Sequence, residues 1–158
     1  MGGVLALAGH FCKGRIEGGQ ITQITGDGID VSETEVYIEG TRFESIQDKA
    51  LSIGEKSQMQ ARAVAIKGCG TGLASKDGST ARIEDSTMDT IKYAGVMAYT
   101  KKPEFGGASV HVKGLKIDNT KYPHIAQRGS AVNVDGEEIQ RVFLDVEALY
   151  TTGHMKKQ

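Results

Sequence analysis

Tryptophan is absent from this chain of 158 residues, and proline and cysteine occur only twice each. Two cysteines cannot build a disulfide framework, and Cys12 and Cys69 fit neither a metal-ligand nor a redox-motif spacing. Charge of one sign is also missing. Nineteen Lys+Arg stand against twenty Asp+Glu, a net charge of −1, without the basic footprint of a nucleic-acid binder. No stretch reaches the roughly 18 consecutive apolar residues of a membrane helix, so no membrane insertion is expected. The apolar N-terminal stretch lacks the basic leader and small-residue cleavage site of a signal peptide. The length fits a single domain with a real core.

What is abundant is glycine, 21 of 158 or about 13% against a usual ~7%. Proline does not rise with it, so the composition is that of a chain turning often and tightly. A repeat explains the turning. Ile16, Ile21, Ile24 and Ile29 recur 22 residues later as Ile38, Phe43, Ile46 and Leu51. The next copy is Ala61, Ile66, Cys69 and Leu73, and the one after is Ile83, Met88, Ile91 and Val96. A fifth begins at Val110, Val112 and Ile117, after an interruption near 99–107.

Within each copy apolar and polar residues alternate, as in Val36-Tyr37-Ile38-Glu39, which is the signature of strands with one face inward. Parallel strands ordinarily need a crossover of a dozen or more residues, and a 22-residue period has no room for a helix. Short strands in coils that stack on their own copies satisfy both facts. The chain is therefore expected to be all-β, a single-stranded parallel β-helix of five to six coils spanning 1–131. Stacking at about 4.8 Å per coil turns equivalent positions into ladders. Gly28, Ala50, Gly72 and Gly95 form a ladder of small residues, the mark of a corner where a larger side chain would collide.

Residues 132–139 read as strand, Asp135-Gly136 turn, strand, a hairpin that begins a C-terminal cap over 132–150, with 151–158 as a tail. Val4 to Leu7 resembles part of an earlier coil, so the N-terminal edge is expected to meet an upstream domain or a second copy.

The runs Gly26-Asp27-Gly28-Ile29-Asp30-Val31 and Ala74-Ser75-Lys76-Asp77-Gly78-Ser79 resemble the right-handed, pectate-lyase-like parallel β-helix repeat proteins of bacteria. Residues 98–106 and 145–150 are similar to the C-terminal part of large members. The resemblance covers about 14–150 and implies a right-handed helix. It spans polysaccharide lyases, glycoside hydrolases, epimerases, adhesins and phage tailspikes, and no enzyme's catalytic set matches.

Three sets of residues are candidates for chemistry. Glu33, Glu55 and Asp77 share one coil position, and three stacked carboxylates repel unless lysines or a calcium ion neutralise them. Beside them Asp30 and Ser52 share a ladder, as do Lys76 and Tyr99. With Lys101 and Lys102 of the interruption these form an expected outer ligand face offering acids, bases and an aromatic platform. A lyase would use a lysine there, and a hydrolase Asp30 paired with Glu55 or Asp77. The same composition also suits any solvated sheet face.

The remaining features carry less. Gly68-Cys69-Gly70-Thr71-Gly72 precedes no helix and is a corner rather than a phosphate cradle. His10, His111, His124 and His154 lack ligand spacing. Cys69 falls in an inward column, Cys12 in another. The functional expectation is a non-catalytic structural or binding module of a larger extracellular or cell-surface protein, contacting polysaccharide, with an enzyme acting on polysaccharide as the alternative.

Overall fold

The computed structural model describes residues 7–10 and 13–157. Cys12 and residues 4–6 of the expected earlier coil lie outside the described residues. In chain order the elements are β1 (Leu7–His10), β2 (Lys13–Glu17), β3 (Gln20–Ile24), β4 (Ile29–Ser32), β5 (Glu35–Glu39), β6 (Arg42–Ile46), β7 (Lys49–Gly54) and β8 (Gln58–Arg62). They continue as β9 (Ala65–Lys76), β10 (Thr80–Tyr99), β11 (Ser109–Gln127), β12 (Ala131–Val134), β13 (Glu137–Glu138), β14 (Arg141–Val142) and α1 (Val146–Thr151). The result is a parallel β-solenoid of about six turns.

Three parallel ribbons form its walls. The first stacks β2, β5, β8, 80–84, 109–112 and β12. The second stacks β3, β6, 65–69, 87–91 and 115–120. The third stacks β1, β4, β7, 71–76, 94–99 and 122–126. β9, β10 and β11 run around corners without losing their pairing, which accounts for their length.

The registers are those of the apolar columns. Ile16, Ile38, Ala61 and Ile83 are successive partners, as are Ile21, Phe43, Ile66 and Met88, and Ile29, Leu51, Leu73 and Val96. These side chains fill one continuous interior. Each fully buried Ile or Leu contributes about 1.5–3 kcal/mol. No coil could gather this alone, since its inward face is covered by its neighbours.

Corners are made in two ways. Where the chain enters the third ribbon, a methyl group on Gly28, Gly72 or Gly95 would lie 2.8, 2.5 or 2.7 Å from the carbonyl oxygen of Ala50, Gly95 or Pro123. The other corners are bent by residues in the left-handed region. One such ladder is Gln23, Ser45, Gly68, Thr90 and Asn119, with φ between 51 and 68°. A second is Gly18, Gly40, Ala63, Asp85 and Gly114, with φ between 49 and 68°. The glycine excess thus has two sources, close approach and backbone conformation.

Polar side chains stitch the corners of adjacent coils. The Thr34 amide donates to Ser57 Oγ (3.1 Å), the Ser57 amide to Ser79 Oγ (3.0 Å) and the Ala108 amide to Ser130 Oγ (3.0 Å). Each bond satisfies a buried N–H that the strand ladders leave over.

Equivalent positions 80 and 109 are 29 residues apart rather than 22, and the surplus is a loop over 100–108 with a 3₁₀ turn at Pro103–Phe105. Tyr99 belongs to β10, so the interruption starts one residue later than expected. The hairpin is present: β12 and β13 pair antiparallel across Asp135 (φ 50°) and Gly136 (φ 90°), a geometry that needs positive φ at both central positions. β14 then pairs with 126–127, and Ile139 packs against the end of the core.

From there the chain departs from expectation. Residues 144–157 do not lie across the last coil. They turn back along the outside of the third ribbon, where Leu149 and Met155 are buried against Ala74, Ala94, Met97, Tyr99 and Ile125. The expected tail at 151–158 is in part packed, with Met155 only 2% exposed.

Candidate functional site

Alternation along the third ribbon turns Leu51 and Ile53 into the core and Ser52 outward. The outward ladder runs Asp30, Ser52, Ala74, Met97, Ile125, polar in the early coils and apolar in the later ones. Lys76 and Tyr99 are partners on the neighbouring ladder. Asp30, Ser52, Lys76 and Tyr99 thus lie on adjoining ladders, and the apolar part of the first ladder is the seat of the C-terminal segment.

Tyr99 is the clearest correction. It is 0% exposed, not an open aromatic platform, because Tyr150 and Met155 lie on it. Its hydroxyl meets that of Tyr150 at 2.6 Å and donates to Met155 Sδ at 3.4 Å. Burial, with Tyr150 alongside, holds the Tyr99 phenol well above its usual pKa range.

Next to it lies a group of charges to which the sequence drew no attention. The Lys49 side chain is 3% exposed, with Nζ 3.1 Å from Asp48 Oδ2, 3.6 Å from Asp27 Oδ1 and 5.3 Å from the Tyr150 ring centre. Burial favours the neutral amine of Lys49, but Tyr150, Asp27 and Asp48 outweigh it and raise its pKa. Desolvation raises the Asp27 carboxyl by more than Lys49 lowers it. Lys76 is lowered, by burial first and then by Lys49. The Lys101 ammonium also lies over the Tyr150 ring, 4.1 Å from its centre. Asp48 Oδ1, Thr71 Oγ1 on the ladder of Lys49, and Ser52 Oγ on that of Ala74 are buried without a hydrogen-bond partner.

The carboxylate column occupies the corner between the third and first ribbons, where Glu33, Glu55 and Asp77 all adopt left-handed φ (49, 52 and 55°). Their side chains take different partners. Asp77 is buried, and its Oδ1 accepts the Lys101 and Lys102 amides, each at 2.7 Å. Glu55 pairs with the Lys102 ammonium. Among the described residues no cluster of three or more His, Cys, Asp or Glu is placed to hold a metal ion. Of the three acids of the expected calcium ladder, Asp77 thus serves backbone N–H groups and Glu55 a lysine.

In front of this corner opens a cleft of about 700 Å³, lined by Lys13, Glu33, Thr34, Glu35, Glu55, Lys56, Gln58 and Phe105. Phe105, brought by the loop, supplies an apolar ring against a polar wall. Asp30, Lys101 and Lys102 are exposed, Asp30 on the polar part of the third ribbon and the two lysines on the loop.

Cys69 is a buried free thiol, pushed up to about 11 by desolvation. His154 stacks on Tyr93 with ring centres 4.9 Å apart. The signal that could have revealed the covered face was available: Ala74, Met97 and Ile125 are apolar at outward positions, and Leu149 and Met155 are apolar in a segment expected to be peripheral.

Stacked parallel ribbons around one apolar interior define the chain as a parallel β-solenoid. The sequence profile of the right-handed β-helix region matches residues 3–143, and the chain belongs to that family. Among curated proteins none matches it.

Proposed function

We propose that the protein is a non-catalytic β-helix binding module of an extracellular or cell-surface protein, and that it holds a polysaccharide chain in the cleft beside Phe105. The cleft carries this reading: an aromatic ring opposite carboxylates, lysines and a glutamine is what a sugar requires, one apolar face to stack on and hydroxyl partners around it. Against catalysis, the strongly desolvated groups Asp27, Lys49, Lys76 and Tyr99 lie beside or beneath the C-terminal segment and do not line the cleft. A scaffold needs no perturbed acid or base, whereas an enzyme does.

Titration with neutral and uronic-acid hexasaccharides, followed by calorimetry and by chromatography of the sugar, tests the reading. Binding with the sugar recovered intact is expected. Phe105→Ala should weaken it about tenfold, the loss of roughly one stacking contact. Failure of every sugar to bind overturns the carbohydrate reading, and shortened products overturn the non-catalytic one.

A further inference from the structure

We propose that residues 144–157 are a latch closed over a second binding site, for a carbohydrate, on the outer surface of the third ribbon. The segment is built as a separable unit. Its backbone N–H groups bond within it: Leu149 N–H to Asp145 (3.0 Å), Thr152 and Gly153 N–H to Ala148 (3.0 and 2.7 Å), and Met155 N–H to Leu149 (3.0 Å), while at its start the Leu144 carbonyl accepts from Gln127 Nε2 at 3.3 Å. Asp145 caps α1 through the Ala148 amide at 2.9 Å. Among the described residues beyond β14 none joins a strand pair, so opening the segment breaks no ladder bond. What holds it is side-chain contact: Leu149 and Met155 in a small cluster distinct from the core, the Tyr150–Tyr99 hydroxyl bond, and His154 on Tyr93.

The surface beside and beneath it is not that of a permanent interface. A seat selected only for stability would be apolar throughout or fully hydrogen-bonded, because a buried unpaired polar atom carries its whole desolvation cost. Here Ser52 Oγ, Thr71 Oγ1 and Asp48 Oδ1 are buried without partners: Asp48 adjoins the Lys49 ammonium, Thr71 is the ladder partner of Lys49 and Ala94, and Ser52 is that of Ala74, the two alanines lying in the cluster that seats the segment. Two hydroxyls, a free carboxylate oxygen, an ammonium and an aromatic ring suit a polyhydroxylated ligand, whose hydroxyls both donate and accept. With the latch open, the Asp30–Ser52 ladder and the neighbouring Lys76–Tyr99 ladder form one surface. This site shares no residue with the Phe105 cleft and does not rest on it.

Hydrogen exchange and sugar titration of the full chain test the latch. The amides of 149, 152, 153 and 155 are expected to exchange about a hundredfold faster than those of 87–91, the mark of local opening without global unfolding. Leu149→Ser with Met155→Ser should hold the latch open and tighten cellohexaose or hexagalacturonate binding about tenfold or more by removing the closed state. Ser52→Val in that background should abolish the gain, whereas Phe105→Ala should leave it. Should the double variant lose its strand signal in circular dichroism, Tyr150→Phe serves as the milder opening. Latch amides that exchange only with the coils overturn the proposal. So does an opened variant with unchanged affinity for both sugars, which is the result if water alone satisfies the three atoms. A gain that survives Ser52→Val overturns it as well.

Discussion

At Gly72 the distance between coils becomes a constraint on one atom. A methyl group there would sit 2.5 Å from the Gly95 carbonyl oxygen and 2.6 Å from Met88 Sδ, and neither neighbour can yield without moving a ladder strand or a core side chain. At Gly26, two residues before the equivalent corner of an earlier coil, the same methyl meets nothing within 4 Å. Gly72→Ala is therefore expected to cost about 1–3 kcal/mol, as overpacking does. For a domain of this size that lowers the melting temperature by roughly 2–10 °C. Gly26→Ala should stay within about 0.5 kcal/mol, as surface changes do. Equal melting temperatures for the two variants would mean that the coils can spread at this corner. Column reading found Gly72 because small residues recur in register. It did not find the left-handed ladders, because Gln23, Ser45, Ala63 and Thr90 are not residue types that announce positive φ.

At the scale of an element, the loop over 100–108 shows how an insertion is held rigid on a solenoid. Asp77 closes it by accepting two consecutive amides, from Lys101 and Lys102, and Thr100 Oγ1 ties it to the Gly106 carbonyl at 3.0 Å. The Asp77→Ala variant leaves two donors without their acceptor, at about 1–3 kcal/mol of local stability. Since Lys101 and Lys102 are exposed, trypsin should then cut between them about tenfold faster or more, in proportion to the population of the opened loop. Asp77→Asn keeps an acceptor oxygen in place and should cut near the wild-type rate. Unchanged cleavage in Asp77→Ala would show that the loop is fixed elsewhere, at Phe105 or Gly106. The carboxylate column was visible in the sequence at 33, 55 and 77. What each acid does was not, because that depends on which partner reaches it, a backbone amide for Asp77 and a lysine for Glu55.

Taken whole, the molecule is a stack whose stability is a sum over neighbouring coils, and its period was legible because every coil repeats one apolar pattern. The C-terminal segment was not legible for the converse reason: it repeats nothing, and its seat reads as polar until Ala74, Met97 and Ile125 are placed on one ladder. The additive picture makes a demand that differs along the axis. Leu73 is fully buried between Leu51 and Val96, with coils on both sides. Ile117 pairs with Met88 on one side, and 115–120 has no strand beyond it among the described residues. Leu73→Ala removes contacts across two coil interfaces and is expected to cost about 3–5 kcal/mol, towards the upper end for a buried leucine. Ile117→Ala removes contacts across one interface at a partly solvated end, and should cost about half as much. Urea unfolding followed by circular dichroism also reports cooperativity through the slope, which scales with the surface exposed in a single transition. Leu73→Ala should lower that slope, as the coils before and after the defect begin to melt separately, whereas Ile117→Ala should shift the midpoint with the slope unchanged. An equal loss at both positions with wild-type slopes would show that the solenoid unfolds as one indivisible body, coupled more tightly than contacts between adjacent coils provide.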